Sequence, residues 1–144
     1  MTEVHLVVGI SVLVLNLVAG VWGGVSWLEQ RPSVAFWPLL RVSQIAVVLQ
    51  VMLGGLLVFM DHKASDDLHY LYGLLPLVVS LLAETVRAGA AHQEIGDLDF
   101  EALESDRQRA IALAIVRREM GIMAVSALVI FFLALRAAGT STAF

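Results

Sequence analysis

No charged side chain interrupts Val4 to Leu28, a run of 25 residues. A helix of that length exceeds the roughly 20 residues needed to cross a bilayer core of about 30 Å. Three further uncharged runs follow: Val42 to Met60 with 19 residues, Leu68 to Ala83 with 16, and Met120 to Leu135 with 16. The second extends back through Trp37 to Leu40 if Arg41 snorkels. The last two reach spanning length only by borrowing polar ends, the third by continuing through Glu84 to Val86. The chain is 59% hydrophobic and 15% charged over 144 residues. A soluble domain of this length holds nearer about 45–50% and about 25%, so the apolar excess has no soluble core to hide in. An ordinary cytoplasmic enzyme is excluded.

The absence of cysteine excludes a disulfide scaffold, a cysteine-ligated metal cluster, a thiol enzyme and covalent c-type haem attachment. A formal charge of -4 with acids and bases mixed leaves no basic footprint for nucleic acid. The first apolar run has no basic n-region and is longer than an ordinary h-region, so it reads as a retained helix instead of a signal peptide. There is no internal repeat and no low-complexity tract. The expected architecture is all-α: one transmembrane domain, an antiparallel four-helix bundle with helices near 4–28, 38–60, 68–90 and 105–137, and a cytoplasmic segment at about 91–118.

Lys and Arg set the expected orientation. Arg31, Arg41, Arg87, Arg107, Arg109, Arg117 and Arg118 fall in the first and third connections, while Lys63 and Arg136 fall on the opposite side. The positive-inside rule makes the Arg-bearing loops cytoplasmic and puts both termini and the Asp61 to Asp67 turn outside, as expected for a multi-pass protein of the cell (cytoplasmic) membrane. Pro32, Phe36, Trp37 and Pro38 suit an interfacial turn with an aromatic anchor. In the third connection Ser105-x-x-Gln108 matches a capping box, from which the fourth helix is expected to run on and project beyond the lipid.

The polar residues inside the spans are ordered. His5, Gly9, Val12, Asn16, Gly20, Gly23 and Trp27 recur at steps of three or four along the first helix, and His69, Gly73, Pro76, Ser80, Glu84 and Arg87 do so along the third. Both stripes are expected to face protein. The second helix offers Gln50, Gly54, Leu57 and Asp61 on one side, with Gly55 beside them. Asn16 reads as interhelical glue and Pro76 as a kink. Glu84 with Arg87 three residues on reads as an interfacial ion pair, with proton-coupled transport the weaker alternative.

His5 and His69 open the first and third helices, so antiparallel topology brings them to one depth on diagonal helices. Neighbouring axes at about 8–10 Å give a diagonal of roughly 12–14 Å. That gap suits two imidazoles approaching one haem iron from opposite sides, with Gly9 and Gly73 one turn on leaving room for a porphyrin plane. The equal alternative is that both histidines are ordinary interface residues.

The stretch Arg41 to Leu74 resembles half of a heme A synthase. That family has two similar four-helix halves, each with a Q-x-x-L-G-G-like helix, an outer turn and a helix opening with a haem-ligating histidine. Gln50, Leu53, Gly54 and Gly55 match the first element and His69 the ligand. The family's partner histidine closely follows a glutamate at the outer end of the preceding helix, where His5 follows Glu3. The resemblance therefore implies His5 and His69 as axial ligands. It covers one half only, and Glu3 stands two residues before His5 instead of three with no arginine after, so the family's oxidation of a haem methyl group is not carried over.

The leading expectation is a cytochrome b-like membrane protein holding haem b, or a related haem, near the outer face, with His62 and Lys63 facing its propionates. Electron transfer or haem handling would be its role, with a quinone, a redox protein or a larger membrane complex as partner; whether it is a haem-dependent oxidoreductase or forms a homo-oligomer is open. One alternative is a divalent-metal site built from Asp61, His62, Asp66, Asp67 and His69 with Glu3 and His5 nearby. Another is an accessory subunit of a membrane complex, docking through the segment 92–118.

Overall fold

The computed structural model describes residues 2–64 and 66–140, and among them the architecture is all-helical. Four helices follow in order: α1 (Thr2–Leu28), α2 (Phe36–Phe59), α3 (Leu68–Ile95) and α4 (Ser105–Gly139), with one 3-10 turn (Phe100–Ala102) before the last. All four are long and apolar enough to cross a membrane. Their surfaces agree with that solvent, because Val7, Val21, Ile45, Met52, Leu81 and Phe132 each leave more than half their area exposed. A soluble protein does not spread such side chains over its whole girth. The protein is a four-helix bundle with lipid-compatible faces.

Each helix packs on its two bundle neighbours: α1 on α2 and α4, α3 on α4, and α2 only sparsely on α3. The diagonal pairs are α1 with α3 and α2 with α4. Close α1–α4 packing rests on glycine. A Cβ on Gly20 would lie 2.6 Å from the Leu128 side chain, one on Gly23 3.0 Å from Ala124 Cβ while also overlapping Phe36 of α2, and one on Gly121 2.8 Å from the Trp27 ring. Small residues that admit a neighbour's side chain are what binds helices when lipid supplies no hydrophobic drive.

Two buried layers fill the bundle. One holds Ala19, Phe36, Leu40, Ala83, Met120, Met123, Ala124 and Ala127; the next holds Val12, Ala46, Val47 and Ile130. Beyond them, at the end where α1 and α3 begin, the interior is hollow.

Asn16 is 1% exposed, but its Nδ2 donates to Val12 O within its own helix. It does not bridge helices through that bond; folding back one turn satisfies the donor locally in an apolar setting. The capping box at Ser105 is also not made. Glu104 is the N-cap without a side-chain bond, because Ser105 is already helical, and the Gln108 amide instead donates to Phe100 O. Residues 91–95 continue α3 and residues from 105 belong to α4, so most of the segment 91–118 is helix. At about 1.5 Å per residue the 35-residue α4 measures about 52 Å, well beyond a hydrocarbon core.

At the opposite end from the hollow, Glu84 ties α2 to α3, and Arg87 carries the network on to α4. Its Oε1 accepts from Arg41 Nη1 and from Gln44 Nε2 at 2.7 Å, both on α2, and its Oε2 accepts from Arg87 Nε at 2.8 Å. Arg87 also faces Glu119 of α4 at 3.6 Å. The expected Glu84–Arg87 pair is present within this larger network, which occupies both carboxylate oxygens.

Candidate functional site

The hollow end encloses a cavity of about 540 Å³ lined by all four helices and by His62, Lys63 and Ala64 of the turn after α2. Its walls are mainly aliphatic, and few polar groups converge in it. They include Thr2 and His5 from α1, Gln50 from α2 and His69 and two tyrosines from α3. A mostly apolar pocket with a small convergent polar set is the ordinary form of a cofactor or ligand site.

His5 and His69 meet across it. Their ring centroids are 6.2 Å apart with the planes at 61°. Each ring has one nitrogen engaged by the protein. His69 Nδ1 lies 3.0 Å from Ala137 O of α4, so it carries the hydrogen and donates, leaving Nε2 with its lone pair. His5 Nε2 lies 3.1 Å from Gln50 Nε2, and His5 Nδ1 and Gln50 Oε1 are buried without a partner. Buried polar groups seldom lack partners, and those that do call for a ligand or a role.

The expected glycines divide into distinct uses. A Cβ on Gly73 or Gly55 would meet nothing within 4 Å, and both residues line the cavity. A Cβ on Gly54 would stand 3.3 Å from His5 Cε1, so Gly54 admits the imidazole itself. Gly9 differs from expectation: a Cβ there would meet Gln50 Nε2 at 3.0 Å. It lines the cavity as Gly73 does, and it also seats the Gln50 amide.

The turn at the mouth is fixed by its own bonds. Asp61 takes φ 63°, the left-handed conformation that closes a helix C-terminus and that Asp tolerates. His62 N donates to Leu57 O at 3.0 Å, and Tyr70 Oη accepts from Ala64 N at 2.8 Å. His62 and Lys63 therefore border the opening, as the sequence places them. Arg136, over the Tyr72 ring at 5.5 Å, adds a third basic residue near this end.

The acidic residues of the turn do not join the histidines. Asp66 Oδ1 accepts from Leu68 N at 2.9 Å, and Asp61, Asp67 and Glu3 are exposed. Among the described residues no group of three His, Asp or Glu side chains is placed to hold a metal ion. The divalent-metal cluster expected from Asp61, His62, Asp66, Asp67, His69, Glu3 and His5 is not assembled. Its carboxylates cap and solvate the turn, while His5 and His69 point into the bundle.

Two parts of the site escape sequence reading. Gln50 was visible as a polar residue in an apolar helix, but its contact with His5 was not. The Ala137 carbonyl leaves no signal at all, since any residue would supply it.

The chain matches no family model, no curated protein and no solved structure with which it was compared.

Proposed function

We propose that this chain is a membrane b-type haem-binding protein in which His5 and His69 would hold the iron, each through one ring nitrogen. The observation that carries this is the 6.2 Å between the ring centroids. At that spacing the two imidazoles could hold one haem iron between them, each through a ring nitrogen. That spacing also fits an ordinary edge-to-face ring contact; the cavity beside the pair and the unpartnered His5 Nδ1 are what favour a ligand held between them.

The residues present fit the group. His5 Nδ1 is a buried ring nitrogen without a partner. His69 has its second nitrogen fixed by a backbone carbonyl, the outer hydrogen bond that ligating histidines ordinarily have. Gly73 leaves a cradle that a larger side chain would fill. Lys63, His62 and Arg136 near the opening suit a macrocycle with an apolar body and two carboxylates. The likeness of Gln50 to Gly55 and of His69 to one half of a heme A synthase supports the same ligand set.

When bound, a haem with two neutral imidazoles supplies one-electron chemistry at a closed iron. The chain's own contribution is to hold the two rings in register, to keep the cavity apolar and to place cations at one edge. Electron transfer or haem handling are the roles consistent with this, and by the distribution of Lys and Arg the site faces the outer side of the cell membrane.

The test is the absorption spectrum of protein purified after expression with haem supply. A Soret band with a low-spin reduced spectrum, at one haem per chain, is expected. Protein without a Soret band after haem reconstitution in detergent rejects the proposal, and metal analysis of that sample decides whether the two imidazoles hold a bare ion.

A further inference from the structure

We infer that Gln50 is the positioning residue for His5, setting which ring nitrogen keeps its lone pair and how strongly that nitrogen donates. The inference rests on the haem proposal above.

The two histidines are held in corresponding ways by unlike partners. His69 leans on a backbone oxygen, Ala137 O, which is insensitive to side-chain identity. His5 leans on the Gln50 side chain, 3.1 Å from its Nε2. With the amide nitrogen facing the ring, Gln50 donates to Nε2 and strands two polar atoms, His5 Nδ1 and Gln50 Oε1. A half-turn of the amide places Oε1 against the ring instead. His5 Nε2–H then donates to it, and Nδ1 carries the lone pair. That orientation gives His5 the same arrangement as His69: one N–H held by an oxygen, and one nitrogen left for a metal. A ligating imidazole whose other N–H is held by an acceptor is the more basic ligand.

Nothing in bundle packing calls for an amide here. Gln50 is the one strongly polar side chain that α2 brings to the cavity, and a polar group in a span is costly unless something repays it. A second residue is shaped for it: Gly9 on α1 faces the amide so closely that a Cβ would lie 3.0 Å from Nε2. A glycine on one helix, an amide on the next and a ligand ring on the first form a single device.

Midpoint potential and spin state of the haem-loaded protein provide the test, in Gln50→Leu, Gln50→Glu, Gly9→Ala and the Gly9→Ala/Gln50→Leu double variant. Gln50→Leu is expected to keep one haem per chain and raise the potential, because the acceptor that enriches His5 is gone. Gln50→Glu retains an acceptor and adds negative charge, so it lowers the potential. Gly9→Ala displaces the amide and moves the potential in the direction of Gln50→Leu, and it adds nothing further in the double variant, since the two changes act through one contact. Wild-type potential and spectrum in all four overturn the inference while leaving haem binding standing. A wild-type protein without a Soret band overturns both.

Discussion

The rings of His5 and His69, 64 positions apart in the chain, stand with their centres 6.2 Å apart at one end of the bundle, each with one nitrogen held by a different neighbouring helix. If both are axial ligands, His5→Ala and His69→Ala each remove one of two strong-field nitrogens. The expected result is loss of the low-spin spectrum or of the haem itself in either variant, with partial return on adding imidazole to the buffer. An unchanged low-spin spectrum in one variant would assign that ligand to another residue.

Gly73 and Gly20 offer a matched pair of glycine substitutions with opposite outcomes. Gly73 has open space where its Cβ would be, so Gly73→Leu should leave the thermal midpoint of the haem-free protein in detergent within a few degrees while blocking haem uptake. A Cβ on Gly20 would lie 2.6 Å from Leu128 side-chain atoms and 3.1 Å from the Leu128 backbone nitrogen. Gly20→Ala must part α1 from α4 and should cost about 1–3 kcal/mol, the usual penalty for overpacking. Equal thermal midpoints for the two variants would contradict this.

Glu84 holds two arginines and a glutamine from α2 and α3. Removing it leaves Arg87, whose side chain is 24% exposed, with only the longer approach to Glu119 at 3.6 Å, and unties α2 from α3. Glu84→Ala is expected to lower stability by about 1–3 kcal/mol, between the worth of a surface pair and the loss on breaking a fully buried one. Glu84→Gln, which keeps one acceptor oxygen, should lose less. Thermal unfolding followed by circular dichroism ranks them, and a Glu84→Gln loss as large as that of Glu84→Ala would show that charge alone matters.

Gln30, just after α1, has φ 59°, a left-handed conformation that a side chain of this kind adopts at a cost. Its amide bonds Trp27 O and the next residue's amide bonds Ser26 O, closing the helix end. Gln30→Gly keeps these bonds and relieves the Cβ, so stability should rise by about 0.5–1 kcal/mol. A fall in thermal midpoint would place an energetic role on the Gln30 side chain.

What was legible in the sequence followed from the solvent. Four helices are written in the uncharged runs, and the inward stripes of α1 and α3 are written in the spacing of glycine and polar residues, because lipid tolerates neither on its own side. Val12, Asn16, Gly20 and Gly23 are buried as that stripe requires, and so are Pro76 and Ser80. The rotation of α2 was legible only in part: Gln50, Gly54 and Leu57, expected on one side, all line the cavity. Its residues are apolar nearly all round, so no amphipathic stripe fixes how Gln50 turns toward His5 or how Arg41 reaches Glu84. The use of Gly9 was hidden for the same reason, since it depends on where Gln50 points. The capping pattern at Ser105 misled because Glu104 had already begun the helix, leaving Gln108 free to bond the preceding turn.

The seam between α2 and α3 has a consequence for traffic. The two helices are tied at Glu84 and scarcely touch elsewhere, while the cavity they flank is walled at the other end by Val51, Gly55 and Val58 on one side and Gly73 and Leu74 on the other. In a bilayer the apolar part of such a seam would border hydrocarbon. A lipophilic cargo dissolved in the membrane would meet the site by two-dimensional diffusion and without crossing water, so occupancy should track its concentration in the lipid rather than in the surrounding medium.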